Sequence, residues 1–570
     1  MVTLVALASL LAIASAGPTP PAGPYTVTVG SLGPWTTPDD TPANSFIASD
    51  GVYWFQQAHS LYGVTDSRQW SFYSGRDMDS ATRHAISGAT DPANTLDSNA
   101  DTTWRCNSSP TGLLATYANG SRSYSQRNYC DLAGVWVDPD SGDWVGLAHN
   151  EFTPAPYADG LHFDGIDRAI SSDGGRTWRI TERIITSPYA TTRGDNAAFP
   201  EQTYSYGDGD PRLTVDIAGG YFYVYYGSRV LNKGGGWVAF YAHVARARMA
   251  DKMVAGSWEK WYAGAWGQPG VGGNESNLVP VTNDADTGYT SPEKEYNPTT
   301  KGSVAAQIAA GATPPTSPLF VMDATYSAHL GLFIAQPQAR DQSGNAPQEL
   351  YVSDDLVRWT LAGNTGSRYT TASWYRWLLD PVSKTSSQIV GKQFRSYCSF
   401  GCSGGRSGEY VRVQLDGAPF VPVKSGAYVL STQGNKLRAA SGLASTTAAA
   451  GDSVVLSRLD DGAYTLSYGG AFLGVDDTTN AGRAWGARIS LRSAASTGSQ
   501  WWVIPNRRAA DRTLDGSFRV INRYSGLALS ISAGGSRGVD TTPVRAWDAP
   551  SGGISAGRLA LEQVISFTPA

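Results

Sequence analysis

Three aspartates begin similar segments of the sequence. Asp131, Asp210 and Asp323 each start a run in which apolar and polar side chains alternate, and a turn and a second run follow each of them. Carboxyl groups that a repeated fold brings together repel one another and lose water, which separates their pKa values. One protonated and one ionised carboxyl group beside a glycosidic bond can hydrolyse it. The alternative is that the aspartates only cap turns.

Two glutamates are candidates for the proton donor. Glu151 ends the second run after Asp131, and Glu275 lies in the sequence GVGGNESN, in a long segment before Asp323. We rank these two first because each follows a strand backbone or one shaped by glycine. His149 and Asp323 are candidates to bind the substrate, although a histidine at such a place can equally well be a packed residue.

The repeated segments are predicted to be β-hairpins, because strand-period runs flank a Gly- or Asp-rich turn. A hairpin cannot bury both of its faces alone, so the copies must stack on one another. This indicates a β-propeller with the three aspartates near its axis. Further hairpins at residues 44–59 and 373–399 favour five blades. Six blades stay open if residues 62–78 form a separate unit.

Long segments without a strand pattern are expected on the same face as the aspartates. They are residues 153–160, 187–209 and 264–318. In a propeller, the loops that enter the innermost strands and the loops that leave the second strands share one face. Loops longer than ~12–15 residues in a compact domain are usually functional. We therefore expect the site on this face.

The composition argues against several classes of function. The chain has 570 residues, more than one core usually supports, and its net charge is −5 with a pI of about 5.7. We expect no nucleic-acid or membrane partner. No nucleophile elbow, phosphate-binding loop or dinucleotide fingerprint occurs in the sequence. We expect a monomer without a cofactor, and a structural calcium in the propeller channel stays open.

The first 16 residues have the pattern of a removable secretory signal, with an apolar run that ends in Ala-Ser-Ala. We therefore expect a secreted, extracellular protein with disulfide bonds. Four cysteines allow three pairings, of which Cys106 with Cys130 and Cys398 with Cys402 is the most local. Zinc is the alternative, but there is neither a CxxC pair nor a nearby histidine to support it.

Three motifs carry resemblances to known propeller proteins. Residues 171–178 read S-x-D-x-G-x-T-W and resemble the Asp-box of sialidases, in which the aspartate caps a turn and the tryptophan packs between blades. Residues 350–360 are similar to a strand–turn–strand unit of family 43 glycoside hydrolases. Residues 209–212 resemble the Arg-Asp-Pro element of five-bladed hydrolases that act on fructans and arabinans, with Gly209 instead of arginine. This resemblance implies that Asp210 stabilises the transition state and that Asp131 is base or nucleophile.

The composition changes near Val421, and three similar copies of a strand pattern follow at spacings of ~40 to 55 residues. Residues 518–529 and the sequence Gln-Trp-Trp at 500–502 resemble the ricin-B-type β-trefoil. The third copy has Leu-Ala-Leu at 559–561 where Gln-x-Trp is expected. The resemblance implies that the trefoil binds sugar, and Asp476 and Asp477 of the second copy are the candidate residues.

Together these features predict a signal peptide at residues 1–16, a catalytic β-propeller at 17–420 and a β-trefoil at 421–570. The expected function is hydrolysis of glycan chains, with an arabinose- or galactose-containing polysaccharide as the suggested substrate. One alternative is a sialidase-like exo-glycosidase, in which Arg193 and Arg212 would bind a substrate carboxylate. The other is a carbohydrate-binding protein without catalytic activity.

Overall fold

The computed structural model describes most of the chain. The described residues are 23–60, 66–114, 128–152, 163–189, 203–232, 236–338, 347–369, 375–399, 402, 409–439, 442–508, 511–532, 538–545, 547 and 559–570. They form 37 strands and two α-helices. No helix in this part of the chain has the length and the apolar character that crossing a bilayer requires. The predicted all-β class is confirmed.

Five antiparallel sheets follow one another in the described residues. After β1 (Thr26–Pro34), the first contains β2 (Asn44–Ile47), β3 (Tyr53–Ser60), β4 (Arg68–Gly75) and β5 (Thr82–Arg83). After β6 (Thr90–Asp91), β7 (Asn94–Ser98) and α1 (Thr103–Ser108), the second contains β8 (Asn128–Val137), β9 (Trp144–Phe152), β10 (Phe163–Ser171) and β11 (Arg179–Thr186). The third contains β12 (Thr203–Asp216), β13 (Tyr221–Asn232), β14 (Trp237–Arg248), β15 (Glu259–Tyr262) and β16 (Ala265–Pro269).

The fourth sheet follows α2 (Val304–Ala309) and contains β17 (Asp323–Ser327), β18 (Leu332–Gln336), β19 (Glu349–Ser353) and β20 (Thr360–Asn364). The fifth contains β21 (Arg376–Leu379), β23 (Gln393–Cys398) and β24 (Glu409–Asp416), while β22 (Ile389–Val390) pairs with β17. Strand β1 pairs with β24 as the outermost strand of the fifth sheet. The beginning of the chain therefore completes the last sheet and closes the ring, as in a propeller.

The alternative of a sixth blade depended on residues 62–78. Strand β4 lies in that stretch and pairs with β3 along its whole length, so it belongs to the first sheet. The described residues therefore contain five units of four or more strands, in the order that the hairpin repeats indicate. The second and third units are joined by one parallel pair, Asp164 with Gly207. The number of blades stays a prediction for the chain as a whole.

The Asp-box lies in the turn between β10 and β11. Asp173 accepts hydrogen bonds from the amide and the hydroxyl of Thr177, at 2.9 and 2.7 Å. The ring of Trp178 is buried and packs against Trp70 and Phe72 of the first sheet, with centroids 5.6 and 6.0 Å away. The motif therefore caps its turn and fills the space between two neighbouring sheets.

Both predicted disulfides are formed. Cys106 of α1 is bonded to Cys130 of β8, and Cys398 at the end of β23 is bonded to Cys402. The Cα atoms are 5.5 Å apart in each pair, and no cysteine is free. The first disulfide holds α1 directly beside Asp131.

The remaining strands form the β-trefoil. They are β25 (Gly426–Thr432), β26 (Asn435–Arg438), β27 (Ser445–Thr447), β28 (Val454–Arg458), β29 (Tyr464–Tyr468), β30 (Ala471–Gly474), β31 (Ala487–Arg488), β32 (Ser490–Arg492), β33 (Gln500–Arg507), β34 (Leu514–Asn522), β35 (Ala528–Ile531), β36 (Val539–Thr542) and β37 (Ser566–Pro569). Strand β37 pairs with β25 and so joins the end of the domain to its beginning. Its core is apolar and includes Leu430, Leu456, Leu466 and Trp501.

Four arginines of the trefoil contact the propeller, and we call them the arginine clamp: Arg483, Arg512, Arg523 and Arg545. They reach the backbone oxygen of Arg76 and the carboxylates of Asp216, Asp380 and Asp140, at 2.6, 2.5, 2.6 and 3.2 Å respectively. These partners lie in or directly after strands of four of the five sheets. Asp140 lies in the turn after β8 and Asp216 at the end of β12, so both follow the aspartates of the site along the chain. The trefoil therefore covers one end of the ring, at the far side from Asp131 and Asp210.

Candidate active site

Strands β8, β9 and β10 bring four polar side chains to one face of the second sheet. Asp131 is paired in register with His149, and Glu151 with Asp164. Because side chains alternate along a strand, His149 and Glu151 point to the same side. All four side chains are buried, with less than a tenth of the residue surface exposed. The pairing thus explains why Asp131 and Glu151 meet, as the hairpin pattern indicates.

Asp210 lies inside a strand rather than at its start, which differs from the expectation. Strand β12 begins at Thr203, because its ladder with β13 extends back to that residue. Asp210 has a φ of 54° at a bulge in this ladder, a left-handed backbone that is unusual for a residue with a side chain. Its carboxylate accepts hydrogen bonds from Arg229 and, at 2.8 Å, from the hydroxyl of Tyr375.

Asp210 and Asp164 form a buried ionic network with two cations. The guanidinium of Arg229 contacts both carboxylates, and it lies 3.2 Å from Asp164 Oδ2. His149 lies between the same two groups, with Nδ1 3.5 Å from Asp210 and Nε2 3.5 Å from Asp164. The two cations therefore lie buried between the carboxyl groups of Asp164 and Asp210, and Glu151 lies 3.8 Å from His149 Nδ1.

The network shifts two pKa values in opposite senses. Burial alone would raise the pKa of Asp210, but Arg229, His149 and Arg212 outweigh it and hold this pKa below its ordinary value. Burial alone would lower the pKa of His149, but Asp164, Asp210 and Glu151 raise it to about 10. At neutral pH, Asp210 is ionised and His149 is a cation.

Asp131 belongs to a second group of carboxyls with Glu151 and Asp40. Burial, followed by the charges of Asp40 and Glu151, raises the pKa of Asp131 well above its ordinary value. Burial and Glu151 raise the pKa of Asp40 to about 6. Among the described residues, Asp131 Oδ1 has no hydrogen-bond partner. Burial and the neighbouring carboxylates favour the protonated form of Asp131, so Asp131 is the carboxyl of this group best suited to donate a proton.

The structure places Glu275 in a different cluster. Its carboxylate lies 2.6 Å from Lys260 Nζ and accepts a hydrogen bond of 2.8 Å from the hydroxyl of Tyr226. Burial would raise the pKa of Glu275, but His243 and Lys260 outweigh it and lower this pKa. None of the contacts of Glu275 with the described residues joins it to the network around His149. Its environment favours the ionised form, which does not suit a proton donor.

Arg212, Tyr375 and Asp323 line the next part of the site. The guanidinium of Arg212 lies 4.4 Å above the ring of Tyr375, whose hydroxyl binds Asp210. Burial raises the pKa of Asp323 to about 7, although Arg212 opposes the shift. Asp323 is the first residue of β17, as expected. The structure thus brings the third repeated aspartate and a candidate substrate-binding arginine near Asp210.

The remaining predicted site residues are Arg193, Asp476 and Asp477. Arg193 belongs to residues 190–202, which lie outside the described residues, whereas residues 203–209 of the predicted loop belong to β12. In the trefoil, Asp476 accepts hydrogen bonds from Thr478, and Asp477 accepts one of 3.1 Å from the amide of Gly498. The sugar site at these two aspartates stays a prediction. In the part of the chain that the structure describes, no group of three or more His, Cys, Asp or Glu side chains could hold a metal ion.

Sequence reasoning missed three residues of the site: Asp40, Asp164 and Arg229. Asp40 precedes the first hairpin much as Asp131 opens the second one, so the repeat itself could have indicated it. Position 209 is glycine here, whereas the resembling motif has arginine, and Arg229 supplies the guanidinium instead. A Cβ at Gly209 would lie 2.5 Å from His149 Nε2 and 2.7 Å from Asp164 Oδ2. The neighbouring strand β13 supplies a guanidinium to Asp210 instead.

Comparisons with known proteins give distant structural likenesses. No protein-family model matches the chain, and no curated protein matches it. A family 43 β-1,3-galactosidase is 11% identical, with 94% of both chains covered and a TM-score of 0.30. A family 117 glycoside hydrolase of the marine bacterium Zobellia galactanivorans is 11% identical over 69% of this chain and 90% of its own, with a TM-score of 0.32. A designed threefold symmetric protein, ThreeFoil, is 22% identical over 25% of this chain and 99% of its own, with a TM-score of 0.19.

Proposed function

We propose that the protein is a glycoside hydrolase that acts on glycan chains. The observation that carries this proposal is the separation of two pKa values in one buried site. Asp131 has a raised pKa and Asp210 a lowered one, and His149 interacts with both residues. An acidic and an ionised carboxyl group in one site are what cleavage of a glycosidic bond requires.

In the proposed reaction Asp131 donates its proton to the glycosidic oxygen while the bond from that oxygen to the anomeric carbon breaks. The sugar that remains carries positive charge, which the carboxylate of Asp210 stabilises. Water then bonds to the anomeric carbon and gives a proton to an ionised carboxylate of the site. This assignment gives Asp131 the role of acid, whereas the motif resemblance implies base or nucleophile, and the pKa directions are the reason for preferring it.

The test is hydrolysis by the wild type and by Asp131→Asn. We expect the wild type to release reducing sugar from at least one substrate in a panel of arabinose- and galactose-containing polysaccharides. Because general acid catalysis contributes ~10²–10⁴-fold, Asp131→Asn should lose about that factor on the polysaccharide. It should lose less than about tenfold on an aryl glycoside of the same sugar, since a good leaving group needs no proton.

Asp251→Asn is a matched control, because Asp251 is an exposed aspartate in the short 3-10 helix Met249–Asp251 that follows β14, and it lies outside the site. It should retain wild-type rates on both substrates. An equal loss on both substrates in Asp131→Asn would contradict the acid role. A wild type that releases no sugar from any of the panel would contradict the proposed function.

Glu151→Gln and Glu275→Gln distinguish the two glutamates. The charge of Glu151 raises the pKa of Asp131, so its removal should lower that pKa. Asp131 would then lose its proton at a lower pH. The decrease in rate on the alkaline side of the pH–rate profile should therefore begin at a lower pH. Glu275→Gln should destabilise the fold through Lys260 and leave the pH of this decrease unchanged. A larger leaving-group dependence in Glu275→Gln than in Asp131→Asn would make Glu275 the acid.

We further propose that residues 17–420 form the catalytic unit and that residues 421–570 attach it to carbohydrate. The export of the protein and the removal of residues 1–16, which lie outside the described residues, belong to the same proposal. Two disulfides support an extracellular location, because they form in oxidising compartments. Mass spectrometry of the protein from culture medium would identify its first residue.

A further inference from the structure

Arg212 is a buried cation whose hydrogen-bonding capacity is only partly used. It lies two residues after Asp210 in β12, and 2% of its surface is exposed. Its Nη1 donates a hydrogen bond of 2.7 Å to the backbone oxygen of Pro211. Its Nε and Nη2 have no hydrogen-bond partner among the described residues. Buried donors that lack partners are rare in proteins and, on a charged group, cost more than ~1–3 kcal/mol.

The two unused donors form one edge of the guanidinium. The N–H of Nε and one N–H of Nη2 point in parallel from the same side of the planar group. This edge matches two oxygens of a carboxylate or of a sulfate, which bind it in a bidentate manner. The centroid of the Tyr375 ring lies 4.4 Å from the guanidinium carbon, and the edge with Nε and Nη2 is buried without a hydrogen-bond partner among the described residues. The stack holds the donors in a fixed direction before any ligand arrives.

The neighbouring carboxyl groups of the protein do not use this edge. The oxygens of Asp210 accept from Arg229 and from the hydroxyl of Tyr375. Asp323 is close enough for Arg212 to affect its titration, but it accepts no hydrogen bond from Nε or Nη2. Arg212 therefore lies beside the ionised aspartate of the site with a buried bidentate donor pair that has no partner among the described residues.

We propose that the Nε and Nη2 edge of Arg212 binds an oxyanion substituent of the substrate, the carboxylate of a uronic acid or a sulfate ester. This inference deepens the proposed function, since it concerns the same site and names its substrate class. The substituent would lie on the sugar next to Asp210. Neutral sugars offer hydroxyl oxygens to the same edge, but they lack the charge and the paired oxygens that this edge matches.

The test is a binding measurement that needs no turnover. Isothermal titration in a buffer free of sulfate and phosphate would compare galacturonic acid, galactose 6-sulfate and galactose. We expect one of the two anions to bind the wild type at least about tenfold more tightly than galactose, and the tighter of the two identifies the substituent. Arg212→Gln should reduce this preference to less than about threefold. Arg212→Lys should give an intermediate preference, because it keeps the charge and loses the bidentate edge.

Arg246→Gln is the matched control. Arg246 also stacks on aromatic rings in the third sheet, but its guanidinium already has a carboxylate partner, Glu259, at 3.2 Å. It should keep the wild-type preference for the anion. A wild type that binds galactose within about threefold of both anions would overturn the inference, and so would a folded Arg212→Gln that keeps the preference. If Arg212→Gln does not fold, the wild-type ranking decides alone.

The two proposals fail separately. If the wild type prefers an anion and yet releases no sugar from any polysaccharide, that result would support anion binding and refute the proposed hydrolase function. Hydrolysis of neutral polysaccharides without anion preference would refute the inference and leave the hydrolase standing.

Discussion

Replacement of Asp210 by asparagine tests the ionic network most directly. Asp210 and Asp164 balance the cations Arg229 and His149, and the exposed fraction of each of the four residues is at most 7%. Asparagine has nearly the shape of aspartate and keeps an oxygen for the hydroxyl of Tyr375. The variant therefore removes one charge and little packing. It leaves Arg229 with Asp164 alone, and His149 with Asp164 and the more distant Glu151 at 3.8 Å.

The expected loss of stability is large. Removal of one partner from a buried ion pair typically costs ~3–5 kcal/mol, because the other charge stays buried without compensation. The pKa of Asp210 is lowered on folding, so its contribution is present above its ordinary pKa of 3.8 and is lost as the pH falls. The pKa of His149 is raised to about 10, so the contribution of His149 is present below its ordinary value of 6.5 and is lost as the pH rises towards 10. The variant should therefore be most destabilised near pH 4–6.5 and less destabilised at alkaline pH, where His149 becomes neutral.

The assay is scanning calorimetry of the wild type, Asp210→Asn and Asp251→Asn at several pH values, together with NMR titration of His149. The pKa of His149 should fall in Asp210→Asn, because one of the charges that raise it is gone. Turnover should fall ~10²–10³-fold through lost electrostatic stabilisation. Asp251→Asn should behave as the wild type in all three measurements. An unfolding free energy within about 1 kcal/mol of wild type at pH 6, with an unchanged His149 titration, would refute the network.

Three further predictions concern the supports of the site. Arg523→Met removes the ionic partner of the buried carboxylate of Asp380, so we expect the free energy of unfolding to fall by ~3–5 kcal/mol. The trefoil and the propeller should then unfold in two separate calorimetric transitions. An unchanged calorimetric profile would show that the arginine clamp does not couple the two domains. Gly209→Ala should lower turnover with a modest loss of stability, ~1–3 kcal/mol, since its methyl group overlaps the ionic network. Wild-type kinetics in this variant would argue against the close packing. Cys106→Ser with Cys130→Ser should cost ~3 kcal/mol in denaturant unfolding, because the disulfide closes a loop of 24 residues. A loss below about 1 kcal/mol would mean that other contacts hold the loop.

The sequence by itself determines the local features of this protein. Alternation of apolar and polar residues and Gly- or Asp-rich turns predict the hairpins, and the Asp-box predicts a capped turn with its tryptophan between sheets. Both disulfides follow from the shortest pairing of the cysteines. These features depend on residues that are near one another in the chain, so the physical signals are present in short stretches of sequence.

The tertiary structure alone decides which charged groups meet. The charge of Asp40 acts on Asp131 because the first and second sheets are neighbours in the ring, and Arg229 reaches Asp210 because of the register between β13 and β12. Glu275, which the sequence ranks first with Glu151, is instead held by Lys260 of β15. Electrostatic energies depend on the distance between charged groups and on their burial. Strand register and sheet order set both quantities, and the residue types alone do not reveal them. The protonation states of the carboxyl groups, and hence their roles, therefore depend on the tertiary arrangement of the sheets.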